Sequence, residues 1–443
     1  MINLFIDISK YLMILMIAVY TYLNFRFFGV SQDRKDRICI SQNVLMFLLH
    51  ALAYAVLYLN TKNEKLIVFY GAQVIFFFCY LLLYRLLYVH VSRILLNNMC
   101  MLLCVGMIML TRLSPDKAVR QFAIIVISAG LTWLIPYVID RVWQLGKITW
   151  PYAAAGIVLL LTVLIAGNNN YGAQLSLSIA GFSFQPTEIV KITFVFFVAA
   201  MFYQSVEWKQ VYLTTAAAAV HVLILVLSKD LGSALMLAVT YLLMLFVATS
   251  SYLFLGVGIL SGCGAAVAAY HLFAHVRVRV EAWLNPWADI DKNGYQITQS
   301  LFAMGTGGWF GMGLCQGMPK KIPVVEKDFI FAAVSEEMGG IFAVCVLLIC
   351  VGCFLQFIMI ATRMQAMFFK LLAFGLGILY AVQVVLTVGG VIKFIPSTGV
   401  TLPFVSYGGS SILSTFVVFG IIQGMYILKG DEEEDYELEQ QEY

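Results

Sequence analysis

Charge is scarce in this sequence. Only 12% of its 443 residues are Asp, Glu, Lys or Arg, about half the share of a soluble globular domain. That deficit excludes a water-soluble globule, and the 62% hydrophobic content with a mean hydropathy of +0.90 shows what takes its place. The net charge of +3 gives no basic surface on which to argue for nucleic acid. The nine cysteines include no CxxC pair and no Cys/His ligand spacing, so neither a zinc framework nor a redox motif is present; they read as small apolar residues. No short-period repeat and no soluble domain stand out. The first ten residues lack a basic n-region and no small-residue cleavage site follows, so the first apolar segment is expected to be retained.

Apolar runs of membrane-spanning length recur from end to end, which predicts an all-α polytopic membrane protein whose backbone groups pair within each helix. Thirteen spans are expected, near 8–25, 41–59, 66–88, 95–111, 121–139, 149–167, 186–203, 211–227, 231–249, 252–274, 331–360, 371–389 and 404–428. Arg26, Arg34, Lys35 and Arg37 follow the first span, and Arg85 and Arg93 follow the third. By the positive-inside rule both loops are cytoplasmic, so the N-terminus lies outside and the C-terminus inside. The outer loops are short except for 275–330, which is rich in Gly, Pro and Trp and too long for a plain connector. After Lys429 the chain becomes an uncompensated acidic block, 431–443, expected to be a disordered tail.

Against this apolar background five polar clusters are conspicuous. Glu326, Asp328, Glu336 and Glu337 lead into the span at 331–360, and carboxylates at membrane depth are costly enough to be functional candidates. Asp328 also stands where a helix N-cap would lie, so a capping role is open to it. In Phe184-Gln-Pro-Thr-Glu-Ile-Val-Lys191, Glu188 and Lys191 share a helix face. In Ser228-Lys-Asp-Leu-Gly-Ser233, Asp230 begins another span, and an Asp230–Lys191 pair, structural or functional, would neutralise both charges. The long loop carries Arg277 and Arg279, suited to phosphate or to lipid headgroups, and then Gly294-Tyr-Gln with Gln299-Ser300. Its Asp289-Ile-Asp291 resembles a metal-holding DxD, but no nucleotide-binding α/β domain surrounds it. The last cluster, Pro396 to Ser411, contains Ser406 and Tyr407 among glycines and prolines that permit close backbone approach.

In this order, Gln185-Pro-Thr-Glu188 with Lys191, Asp230-Leu-Gly-Ser233, Gly294-Tyr-Gln with Gln299-Ser300, Asp328-Phe-Ile-Phe-Ala332 with Glu336-Glu-Met-Gly339, and Leu402-Pro-Phe-Val-Ser-Tyr-Gly-Gly-Ser410 resemble the SEDS family. That family (shape, elongation, division, sporulation) comprises the FtsW, RodA and SpoVE peptidoglycan polymerases. The resemblance covers about 94–430 and implies a ten-helix catalytic core, with 1–93 as three extra N-terminal helices. It implies a peptidoglycan glycosyltransferase that polymerises lipid II at the outer face of the bacterial cytoplasmic membrane, releasing undecaprenyl pyrophosphate. A class B penicillin-binding protein is the implied partner. On this resemblance Asp328 is the catalytic carboxylate, and Glu188, Lys191, Arg277, Arg279, Gln299, Ser300, Ser406 and Tyr407 contact substrate. No cofactor is certain; the chemistry leaves room for a divalent cation on the pyrophosphate.

The sequence also departs from the family pattern. Leu175 and Ser176 stand where the family has Arg and Trp, and Lys327 replaces a Thr before Asp328. Two alternatives therefore stand beside the polymerase: a lipid-linked-sugar transporter, and a catalytically weak scaffold. No internal symmetry of the transporter kind is evident.

Overall fold

The structure, a computed structural model, describes residues 2–141, 143–170, 173–179 and 182–441. Seventeen α-helices run in chain order through the described residues. They are α1 (Ile2–Arg26), α2 (Gln32–Thr61), α3 (Lys65–Leu87), α4 (Arg93–Leu113), α5 (Pro115–Thr132), α6 (Ile135–Arg141), α7 (Trp150–Ala166), α8 (Thr187–Gln204) and α9 (Trp208–Leu227). There follow α10 (Leu231–Thr249), α11 (Tyr252–Leu272), α12 (Ala274–Leu284), α13 (Tyr295–Gly307), α14 (Ile330–Met338), α15 (Gly340–Arg363), α16 (Met367–Val391) and α17 (Gly409–Gln441). Among the described residues twelve helical segments are long and apolar enough to cross a membrane. The remaining expected span, 149–167, is the apolar 17-residue α7, at the short end of the lengths that cross a bilayer.

Three expectations are modified. The single span predicted over 331–360 is broken at Gly339, where φ is +97°, into α14 and α15. Between α7 and α8 the chain forms a small antiparallel sheet, β1 (Asn168–Asn170), β2 (Ala173–Ile179) and β3 (Phe182–Phe184), with β2 central. And α17 continues to Gln441, where a disordered tail from 431 was expected; its Glu, Gln and Leu are good helix formers and no Pro or Gly follows Gly430.

Contacts divide the chain into two compact units. The first comprises Met1–Ile127, Arg277–Cys353 and Val384–Gly408, the second Ser128–Val276, Phe354–Gln383 and Gly409–Tyr443. At the heart of the first unit lies α4, whose membrane-length window is buried throughout. Two features bury it. The extra helices α2 and α3 pack on it, and Gly106 lets the backbone of Phe404 and Val405 approach where a Cβ would stand 2.7 Å from a carbonyl oxygen. In the second unit α8, α16 and α17 contribute long runs of buried apolar residues and α10 adds more, while α11 packs on α10 and buries none.

Candidate functional site

In the first unit the chain around Asp328 is a tight turn, 323–329, before α14 begins. Phe329 holds the N-cap position of α14 and no side chain makes a cap bond there. The capping role open to Asp328 is thus not the one it plays. The carboxyl is half-buried, and desolvation by the surrounding protein pushes its pKa up to about 6. Its own backbone amide and the charges of Lys327 and Arg279 oppose that rise, and Glu326 reinforces it. Arg279, on α12, donates through Nη1 to the carbonyls of Ser397 and Thr398, at 3.4 and 3.3 Å. Those carbonyls precede Gly399, whose φ is +74° and where a Cβ would lie 3.8 Å from Asp328 Oδ2. A chain segment, an arginine and an acid with a raised pKa therefore come together on a surface that remains partly open.

Beside Asp328 a second turn, 402–407, is locked by its own serine: Ser406 Oγ accepts from Leu402 N at 2.9 Å. Tyr407 N donates to Glu326 O at 2.8 Å, so this turn is bonded to the one carrying Asp328. Glu326 is ion-paired to Lys117, in the first turn of α5, and the Lys117 ammonium also lies 5.8 Å from the Tyr407 ring centroid. Burial alone would raise the Glu326 pKa, but the hydrogen bond and charge of Lys117 outweigh it and hold the group below its ordinary value. Four residues on, Gln121 donates to Ser406 O (3.1 Å) and accepts from Gly408 N (3.2 Å).

The acids at Glu336 and Glu337 serve the loop instead. Glu337 pairs with Arg112 at 3.0 Å and accepts from Cys315 N at 3.3 Å, while Glu336 accepts from Met318 N at 2.8 Å. They clamp the chain from Met312 to Met318. Ser300 is fully buried and donates to Val391 O at 3.0 Å, so it and Ser406 hold backbone. Gln299 is half-buried and Arg277 exposed.

The second unit holds the other predicted pair. Glu188 Oε2 and Lys191 Nζ are 2.9 Å apart, both buried on the first two turns of α8. Ser414 Oγ donates to the same carboxylate at 2.5 Å, and Lys191 donates to Gln383 Oε1 at 3.4 Å. These four line a small pocket whose other walls are largely aliphatic. The expected Lys191–Asp230 pair is not among the ion pairs of the described residues. Asp230 instead caps α10, accepting from Ser233 N at 3.1 Å, and its Oδ2 has no hydrogen-bond partner. The correction has a simple cause. Glu188 sits three residues before Lys191 on one helix, so the pair forms without bringing two helices to matching depth.

The sequence reading missed Lys117, Gln121, Arg112, Gln383 and Ser414. Lys117 and Gln121 are four apart on one face, a signal available in the sequence but too common among helices to single out. Leu175 and Ser176 lie on β2, and their side chains fall outside the described residues. Among the described residues no three His, Cys, Asp or Glu side chains come together to hold a metal.

The fold and these clusters define a polytopic membrane protein, helical apart from one small sheet, with polar sites built at helix ends and interruptions. Residues 93–427 match the FtsW/RodA/SpoVE family described as "Cell cycle protein", and the chain belongs to that family. The match starts at α4 and leaves α1–α3 outside. The chain is 35% identical over 298 residues to "Peptidoglycan glycosyltransferase RodA" of Mycobacterium tuberculosis, covering 63% of this chain and 64% of that one. It thus spans just under two thirds of that relative's length. It is 32% identical over 353 residues to "Probable peptidoglycan glycosyltransferase FtsW" of Saccharophagus degradans, covering 73% and 89%. Its fold is similar to a solved chain described under "Structural coordination of polymerization and crosslinking by a peptidoglycan synthase complex", with TM-score 0.64, 23% identity and coverage of 77% and 98%. A crystal structure of Thermus thermophilus RodA gives 0.56, 22%, 76% and 96%.

Proposed function

We propose that the protein is a peptidoglycan glycosyltransferase that polymerises lipid II, with Asp328 as general base. The observation that carries this reading is the half-buried Asp328 carboxyl, titrating near 6, not engaged as a helix cap and lying under the influence of Arg279. Polymerisation joins an acceptor sugar hydroxyl to the anomeric carbon of a lipid-linked donor. The new C–O bond forms as the bond to the pyrophosphate breaks, the hydroxyl proton passes to Asp328, and undecaprenyl pyrophosphate departs. A base with a pKa near 6 is deprotonated at neutral pH yet basic enough to accept a proton. Arg277 and Arg279 supply positive charge where the pyrophosphate develops its own negative charge. That leaving group needs no separate acid. A divalent cation on the pyrophosphate would add to that positive charge.

The relatives' names support the activity, and the likeness to a chain solved in a peptidoglycan synthase complex supports a partner that supplies cross-linking, which we take to be a class B penicillin-binding protein. The arginines and lysines at 26–37 and 85–93 favour a cytoplasmic-membrane topology with the N-terminus outside and the C-terminus inside. Purified protein in liposomes given labelled lipid II tests the function. Glycan strands are expected. Movement of lipid II between leaflets without polymer would favour a transporter, and neither outcome would favour a scaffold.

A further inference from the structure

We infer that Lys117 is a positioning residue for Asp328, buckling the turn that carries the carboxyl onto the turn that carries Tyr407. The inference deepens the reading of Asp328 as the base and rests on it. Lys117 belongs to none of the motifs from which the activity is argued; its placement alone singles it out.

Both turns are strained at a non-glycine residue. Val324 has φ +55° and Phe404 φ +62°, conformations that cost such side chains free energy and persist only where surrounding contacts over-determine them. Among the contacts that do so, beside the turns' own hydrogen bonds and the Gln296 bond to Pro323 O, is a set from one face of α5. The Lys117 ammonium takes the Glu326 carboxylate on one turn and lies over the Tyr407 ring on the other. Gln121, one helical turn on and 1% exposed, makes two hydrogen bonds to the backbone flanking Tyr407. Between the turns runs one backbone hydrogen bond, Tyr407 N to Glu326 O. Glu326 is half-buried and two residues from Asp328, and among the described residues Lys117 is its ion-pair partner, so removing the Lys117 charge breaks that pair.

Two consequences follow for the base. First, the turn is free to relax, and a reacting group displaced by about 1 Å loses roughly 100-fold in rate. Second, Glu326 already raises the Asp328 pKa, and without Lys117 its charge acts uncompensated by an ion pair. The charged groups that bear on Asp328 are Glu326 and Lys327 on its own turn, Arg279 on α12, and Lys117 of α5 through Glu326. The facing turns 397–399 and 402–407 add only the Tyr407 phenol as a titratable group.

The experiment follows lipid II polymerisation by full-length protein across pH, with thermal unfolding in detergent alongside. For Lys117→Met the expected result is a rate at neutral pH lower by roughly 10- to 100-fold, and an acid limb of kcat/KM displaced to higher pH. Lys117→Arg should restore both in large part. Lys117→Met with Glu326→Gln removes both charges and should bring the limb back to, or slightly below, its original place, even if the rate stays low. A Lys117→Met protein with unchanged rate and limb overturns the inference. So does a rate loss matched by lost folded protein with the limb unmoved, which marks a brace without influence on the base. Asp328→Asn run in parallel keeps the two claims apart. If Asp328→Asn polymerises normally, the base reading fails; if it is inactive while Lys117→Met behaves as wild type, only the positioning role fails.

Discussion

At the scale of single residues the account turns on which charges are paired. Asp328 is ionised at a cost: its carboxyl titrates near 6 in the folded protein against an ordinary 3.8, so between those values the folded state holds a proton that the unfolded state has lost. Stability contributed by this group is therefore present below about 3.8 and falls as pH rises through 6, by at most about 3 kcal/mol and less for its partial exposure. Catalysis runs the other way. Polymerisation should rise as pH increases through about 6, and Asp328→Asn should melt no lower, and somewhat higher, than wild type near pH 7.5. A lower melting temperature for Asp328→Asn would contradict this. Glu188 and Lys191 behave differently because each is buried against the other. Lys191→Met should cost about 3–5 kcal/mol by stranding the Glu188 charge, and adding Glu188→Gln should recover part of it. Asp230→Asn should cost little, since Asn caps a helix about as well as Asp. Chemical denaturation of the three variants checks this ranking, and an Asp230→Asn protein as unstable as Lys191→Met would restore the pairing read from sequence.

At the scale of elements, most of the helices were legible because each must bring about 20 apolar residues together and little else in the chain competes. What stayed hidden were the interruptions. The Glu336-Glu-Met-Gly-Gly340 stretch reads as the start of one long helix, yet Gly339 takes φ +97° and approaches Gly311, whose φ is +73°. A Cβ on Gly339 would fall 2.6 Å from Gly311 N, and the closeness lets Glu336 and Glu337 clamp the loop from Met312 to Met318. Nothing in the local sequence announces it, because the partner is remote along the chain. Where the backbone allows it, Gly→Ala stabilises by about 0.4–1 kcal/mol, but Gly339→Ala should instead lose several kcal/mol, as a buried clash at positive φ does. Thermal unfolding of that variant, compared with Gly262→Ala where nothing lies within 4 Å, makes the test. The candidate site was legible in its motif residues and not in its wiring. Asp328 and Arg279 could be named from sequence, whereas the contacts of Lys117 and Gln121 with turns remote along the chain could not.

At the scale of the whole molecule, α1–α3 are joined to the family core by buried polar side chains instead of being an appendage. His50, Gln73, Tyr54 and Thr111 form one hydrogen-bonded chain across α2, α3 and α4, with links of 3.1, 2.6 and 2.8 Å. Tyr20, Asn24 and Asn98 form another between α1 and α4, and Lys10 donates to Gly311 O just before the clamped loop. Gln73→Leu should cost about 1–2 kcal/mol in detergent or bilayer, the range for interhelical hydrogen bonds in membranes, and an unchanged melting temperature would show that the chain of bonds is idle. The central claim concerns chemistry, and one measurement reaches it most directly: polymerisation of labelled lipid II by purified Asp328→Asn protein beside wild type, both checked for folding. The account predicts a folded protein whose rate is lower by roughly 10²- to 10⁴-fold, the usual loss on removing a general base. Glycan strands formed by Asp328→Asn at near wild-type rate would contradict it.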